Sequence, residues 1–212
     1  IIDRLDFSKF VKRPKWIVGF SDITVLHSHI HTNFGIETLH SPMCVNFSTS
    51  ESSNRTVNTL RQALFGEEIT YDTIHHPLNR PGSVEGVLTG GNLSILYSSR
   101  GTNSDIDTNG KILFIEDVDE YLYHIDRMMM NLKRSGLLAT LSGLIVGSMN
   151  KMHDNKISFG KTAEEIIAES VAEYNYPVCF DFPAGHIKEN LTLILGRKIE
   201  LNVSDSTTLK FN

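Results

Sequence analysis

The stretch "WIVGFSDITVLHSHI", residues 16–30, decides how the chain is read. Its first five residues form an apolar run with the character of a buried strand, Gly19-Phe20-Ser21-Asp22 interrupts it, and a helical pattern follows from about Ser21 to Asn33. A strand feeding a helix through a tight turn is the elementary unit of an α/β fold. Ser and Asp are ordinary helix-starting residues, so the plainest role for Ser21 is that of a cap. The alternative is a nucleophile lifted out of the turn, which needs a histidine and a carboxylate elsewhere at sites suited to serve it.

Working outward, Ile36–Pro42 forms a short segment, and Ser52 or Ser53 is placed to cap a helix ending near Phe65. Residues 66–85 carry two prolines and no sustained period, which reads as a linker with one short strand. "GVLTGGNLSILYSS" reads as a strand, a Gly-Gly turn and a helix, and "KILFIEDVDE" as a buried strand ending in acids before a helix from about Val118 to Ser135. "LSGLIVGSM" is a further strand, Thr162–Tyr174 has helical spacing, "YPVCFDFPAGH" is a strand meeting a turn, and the tail alternates like antiparallel hairpins. The expectation is an α/β protein of two lobes with some antiparallel sheet, divided as 1–65, a linker 66–85, and 86–212.

The 212 residues suffice for one large domain or two small ones. Twenty basic against 25 acidic residues give a net charge of -5 with no basic stripe, which argues against a nucleic-acid or membrane-surface partner. Cys44 and Cys179 lie far apart in apolar contexts and read as buried reduced thiols, which points to the cytosol. No apolar run is long enough to span a bilayer, and the first residues do not resemble a signal peptide. The chain opens without Met inside what reads as a loop or helix end, so an upstream segment is expected to be missing.

Ligands of open α/β sheets gather beyond the carboxyl ends of strands. Ser21, Glu116 and His186 each occupy such a place. His186 could take the serine's proton, Glu116 could fix the imidazole tautomer, and the backbone N–H of Asp22 could face a developing oxyanion. Each also has an ordinary role: Ser21 as a cap, His186 as a loop residue, and Glu116, Asp117, Asp119 and Glu120 as a negative cluster at a helix start or as ligands of a divalent ion. "GFSDI" lacks the final glycine of a full G-x-S-x-G elbow. His27 and His31 have a zinc-compatible spacing, but no H-E-x-x-H pattern accompanies them, and neither a metal nor a cofactor is expected. "RMMMNL" reads as core packing, His75-His76 as exposed linker, and "TGGNL" as a tight turn before it reads as an anion cradle.

"GFSDITVLH", "GVLTGGNLSIL", "ILFIEDVDE" and "FPAGH", in this order, resemble the LD-carboxypeptidases of the serine peptidase S66 family, which also includes microcin C self-immunity peptidases. The resemblance runs from about residue 12 to the end. It implies a truncated flavodoxin- or Rossmann-like N-terminal lobe and a C-terminal swivelling α/β lobe with mixed sheet. It also implies that Ser21 is the nucleophile, Glu116 the triad acid and His186 the base, meeting in a cleft between lobes. The implied reaction is removal of the terminal D-alanine from the murein tetrapeptide in the cytosol by a homodimer. Relatives carry further strands and a glycine-rich turn upstream, so a chain truly starting at Ile1 is expected to be weakly stable and nearly inactive. Arg100 and Arg127 are candidates for the substrate carboxylate, each equally suited to a structural ion pair. Two other readings stand beside the first: a peptidase acting on aminoacyl-nucleotide mimics, which a core position for Trp16 disfavours, and a catalytically inactive binding module.

Overall fold

The computed structural model describes residues 1–47 and 51–212, the side chains of 51–54 excepted. In chain order its elements are α1 (Ser8–Lys12), β1 (Val18–Gly19), α2 (Thr24–Phe34), β2 (Thr38–His40), α3 (Glu51–Phe65), β3 (Thr70–Ile74), β4 (Gly82–Asn92), α4 (Leu93–Ser98) and β5 (Ile112–Val118). There follow α5 (Leu122–Arg134), β6 (Gly143–Asn150), α6 (Ala163–Ser170), β7 (Val178–Cys179), β8 (Leu193–Leu195), β9 (Lys198–Val203) and β10 (Ser206–Phe211). The side chains of Ser52 and Ser53, the expected caps of α3, lie outside the described residues.

The strand β5 shows why the sheet forms. Ile112, Leu113, Phe114 and Ile115 are all fully buried, the even positions packing into one hydrophobic core and the odd positions into another. A strand buried on both faces belongs at the centre of a parallel sheet covered on each side. Accordingly β4, β5, β6 and β7 run parallel, connected through α4, α5 and α6. Leu122, Ile125, Met129 and Leu132 of α5 fall at i, i+3, i+7 and i+10 and are buried against the odd face, while Met128 joins them and Met130 stays half-exposed. The methionine run is thus core packing.

The long strand β4 serves two pairings. Residues 82–87 pair antiparallel with β9, and 88–92 pair parallel with β5. Antiparallel β9, β10 and β3 then extend the sheet to seven strands in the order β3-β10-β9-β4-β5-β6-β7. A second sheet has the order β1-β2-β8, with β1 and β2 parallel and β8 antiparallel. The chain is therefore mixed α/β, as expected.

Several local expectations are corrected. Gly90 and Gly91 are not a turn but the end of β4, and the turn into α4 is made by Asn92, whose side-chain oxygen accepts the Ile95 N–H at 3.1 Å. The expected helix from Val118 starts at Leu122, because pairing with β6 carries β5 through Val118. The strand expected over 16–20 is reduced to Val18–Gly19, and a 3-10 turn, Ser21–Ile23, precedes α2. Residues 66–85 contain β3 but also the first residues of β4. Both cysteines are free, yet Cys44 is exposed and only Cys179 is buried. Trp16 is half-buried against the core. Among the described residues no helix is long and apolar enough to cross a membrane.

Gly90 has φ +127°, and a Cβ there would lie 1.9 Å from the carbonyl oxygen of Phe114 in the adjacent strand. No neighbouring side chain can relieve a clash with backbone. Gly90→Ala is expected to cost about 3 kcal/mol or more, at the upper end of overpacking changes. Urea unfolding of the two proteins measures it.

Candidate active site

The site begins where β1 ends. Phe20 is extended, and Ser21 has φ +61°, a left-handed conformation that a serine seldom adopts. Such a residue costs of order 1–3 kcal/mol unless its surroundings hold it. The capping positions of the 3-10 turn and of α2 are Phe20 and Ile23, neither of which offers a side-chain oxygen, so Ser21 caps neither element. Its side chain stands on a sharp strand-to-helix bend, the kind of geometry that lifts a hydroxyl clear of its own elements. The N–H of Asp22, in the first turn, has no preceding carbonyl of that turn to bond.

Glu116 sits near the end of β5 and is 0% exposed. Its Oε2 accepts the Nδ1–H of His186 at 2.7 Å and the backbone N–H of His186 at 3.2 Å, while Oε1 accepts from Asn92 Nδ2 at 3.3 Å. The carboxylate fits there because its surroundings are glycine. A Cβ on Gly185 would lie 2.6 Å from Glu116 Oε2, and one on Gly147 would lie 2.5 Å from the Ala184 carbonyl. With Nδ1 engaged, Nε2 is the ring nitrogen left for chemistry.

His186 is bounded by the Phe20 ring, centroid to centroid 4.7 Å, and by Asn150, whose Nδ2 donates to the His186 carbonyl at 2.7 Å. Partial burial works against the charged ring, but the hydrogen bond and charge of Glu116, with Asp117 and Asp22 adding, outweigh it and raise its pKa above the ordinary value. Asp117 points to the other face of β5. It accepts from Asn92 Nδ2 at 3.0 Å, the Ser94 N–H at 2.9 Å and the Ser94 hydroxyl at 2.8 Å. Burial pushes its pKa up, and these donors partly offset that.

The structure therefore brings Glu116 and His186 into contact and places Ser21 directly after Phe20, which packs on His186. No hydrogen bond joins Ser21 to His186; catalytic hydrogen bonds are often long in unliganded proteins. A cleft of about 410 Å³ opens at this point, lined by Phe20, Asn150, Lys151, His186 and Lys188 among others. The two lysines are exposed and form no salt bridge among the described residues. Sequence reading missed both, together with Asn92, for which "GGN" between strand and helix was the available signal. Arg100 pairs with Asp105, and Arg127 lies over the Tyr123 ring at 5.3 Å; neither lines the cleft. Asp119 is bonded to His153 at 2.6 Å and Glu120 to His124, so the acidic cluster is divided among partners. Among the described residues no three His, Cys, Asp or Glu side chains converge as metal ligands, and His27 Nε2 is taken up by the Gly19 carbonyl at 3.0 Å.

Residues 1–41 match the LD-carboxypeptidase N-terminal domain of peptidase S66, and residues 85–201 match the LD-carboxypeptidase C-terminal domain. The chain belongs to the S66 LD-carboxypeptidase family. It is 36% identical over 208 residues to the "Probable murein peptide carboxypeptidase" of Bacillus subtilis, covering 97% of this chain and 65% of that protein. The muramoyltetrapeptide carboxypeptidase of Oxalobacter formigenes has a crystal structure that superposes with a TM-score of 0.90 at 28% identity, covering all of this chain and 73% of that one. The Escherichia coli microcin C7 self-immunity protein is 26% identical over 230 residues, covering 93% of this chain and 66% of its own length. The chain thus spans just under two thirds of the Bacillus protein.

The charge balance around His186 gives a direct expectation. A folded pKa raised above the unfolded value of about 6.5 stabilises the fold fully below that pH, and the contribution disappears as pH rises through the folded value. In Glu116→Gln the NMR-monitored titration of His186 should move down, and the loss of stability on going upward from about pH 6.5 should flatten. An unchanged His186 titration would show that Glu116 does not set its charge.

Proposed function

We propose that this chain carries the catalytic site of a serine LD-carboxypeptidase that removes the terminal D-alanine from murein tetrapeptides. The observation that carries the proposal is the hydrogen bond from His186 to the buried Glu116, with the His186 ring packed on Phe20, the residue before a serine at positive φ. Family membership supports the substrate class.

In this reading Ser21 Oγ attacks the carbonyl carbon of the bond between the L-centre of the diamino acid and D-Ala. His186 Nε2 takes the hydroxyl proton, and Glu116 stabilises the imidazolium that forms. The Asp22 N–H donates to the tetrahedral oxyanion, a contribution of about 3 to 4 kcal/mol for a well-placed donor. His186 then passes its proton to the departing D-Ala amine as the C–N bond breaks. Water, deprotonated by the same ring, cleaves the acyl-serine ester and returns Ser21 to its hydroxyl form. Lys151 and Lys188 supply positive charge at the mouth of the cleft for a substrate bearing carboxylates.

The two-lobe division at 66–85, with Ser21 from one side and Glu116 and His186 from the other, belongs to the same proposal. So do the cytosolic location, the homodimer and the absence of a nucleic-acid partner. The net charge of -5 without a basic stripe supports the last.

D-alanine release from a murein tetrapeptide is expected to fall at least about 1,000-fold in Ser21→Ala. Because His186 must be neutral to act as base and its pKa is raised, the acid limb of kcat/KM should lie above about pH 6.5. Undiminished release from Ser21→Ala would eliminate the serine mechanism. A chain inert toward murein tetrapeptide but active on an aminoacyl-nucleotide mimic would favour the self-immunity chemistry, and inertness toward both would leave a binding module.

A further inference from the structure

Gly19 lies two residues before Ser21, and its carbonyl oxygen accepts two hydrogen bonds. One comes from the Ser41 N–H at 3.1 Å, just past β2, and the other from His27 Nε2 at 3.0 Å. His27 belongs to α2, the helix that the Ser21 turn leads into, so its ring reaches back across the turn to the strand before it. Within the turn itself the backbone bond is Ile23 N–H to the Phe20 carbonyl, at 3.2 Å.

We propose that His27 is a positioning residue for Ser21: its Nε2–H holds the Gly19 carbonyl and thereby fixes the backbone that keeps Ser21 in the left-handed conformation.

A carbonyl only accepts, so the nitrogen facing Gly19 carries the proton. Burial pushes the His27 pKa down to about 4, despite the opposing hydrogen bond it donates to the Gly19 carbonyl, so the ring is neutral near pH 7 and Nδ1 bears no hydrogen. Among the described residues Nδ1 is buried without a partner, which a lone pair tolerates better than an N–H would. Ile23 closes the turn from the other side, since a Cβ on Gly19 would stand 2.8 Å from its Cγ1. The Phe20 ring, held between these fixed points, packs against both His186 and the buried His40, at centroid distances of 4.7 and 6.0 Å. Without His27 the Gly19 carbonyl keeps only the Ser41 N–H, and the looser turn would let Ser21 and the Phe20 face of His186 shift together.

The catalytic part of this inference rests on Ser21 being the nucleophile. The test compares wild-type full chain with His27→Phe, which keeps ring bulk and removes the donor, and His27→Gln, whose amide N–H can replace it. In His27→Phe, amide exchange at residues 20–23 should accelerate and kcat for D-alanine release should fall about 10- to 100-fold with KM little changed. His27→Gln should restore both. Wild-type exchange and kcat in His27→Phe would overturn the proposal. Equal losses of kcat in the two variants, tracking their loss of thermal stability, would reduce His27 to a structural role. Should His27→Phe fail to fold, ring-nitrogen NMR of the wild type decides, a proton on Nδ1 in place of Nε2 refuting the donor. Full activity of Ser21→Ala would sink the serine reading while the exchange data still judged the His27 anchor.

Discussion

A carboxylate with no exposure to water is held in place only where its charge is answered at short range, and Glu116 is held in that way. Taking such a group out of water costs several kcal/mol unless partners occupy its lone pairs. Here the His186 ring and backbone N–H take one oxygen and Asn92 the other. Much of the surrounding structure serves this arrangement. Gly185 leaves room for the carboxylate, β5 delivers it into the interior, and Asn150 holds the backbone of the histidine that answers it. Removing the His186 ring would take away the shortest of these bonds and leave a buried charge less well answered, which is why the acid and the histidine are best regarded as one unit.

The period of a β-strand separates two adjacent acids into different roles. Glu116 continues the face of Ile112 and Phe114, while Asp117 continues that of Leu113 and Ile115, toward α4 and α5. Asn92 is placed to tie the two together. It ends β4 directly opposite Glu116 and caps α4 with its oxygen, and its amide nitrogen donates to both carboxylates. One side chain therefore couples a helix start, a strand end and the candidate catalytic acid. Thr24 extends the coupling to the serine's helix, since its hydroxyl accepts the Asn92 N–H at 3.0 Å.

The legible parts of the sequence were those with a local signature. The doubly buried run 112–115, the spacing of α5 and the alternation of the tail each announce their element, and of the strand-end candidates Glu116 and His186 are brought into contact. The rest depended on distant partners. Gly90 and Gly91 have the composition of a turn, but pairing with β5 makes them strand, and their lack of a Cβ is needed for close approach to Phe114 and Thr24. Asn92 has the look of a simple cap until Glu116 and Asp117 are brought beside it. Lys151 and Lys188 are unremarkable surface residues in sequence, and only the folded cleft groups them with His186.

The placement of β8 has a consequence for how the molecule is made. Residues 193–195 pair with β2, and just beyond them Gly196 and Arg197 exchange backbone hydrogen bonds with Leu88 of β4. The short segment 193–197 thus laces the sheet carrying the serine turn to the sheet carrying Glu116. Such pairing spans most of the chain and forms only after long loops have closed. The serine turn precedes the lacing segment in the chain, so a growing polypeptide holds parts of the site before it can hold them together. Assembly of the site therefore waits on residues 193–197, made well after the serine turn itself.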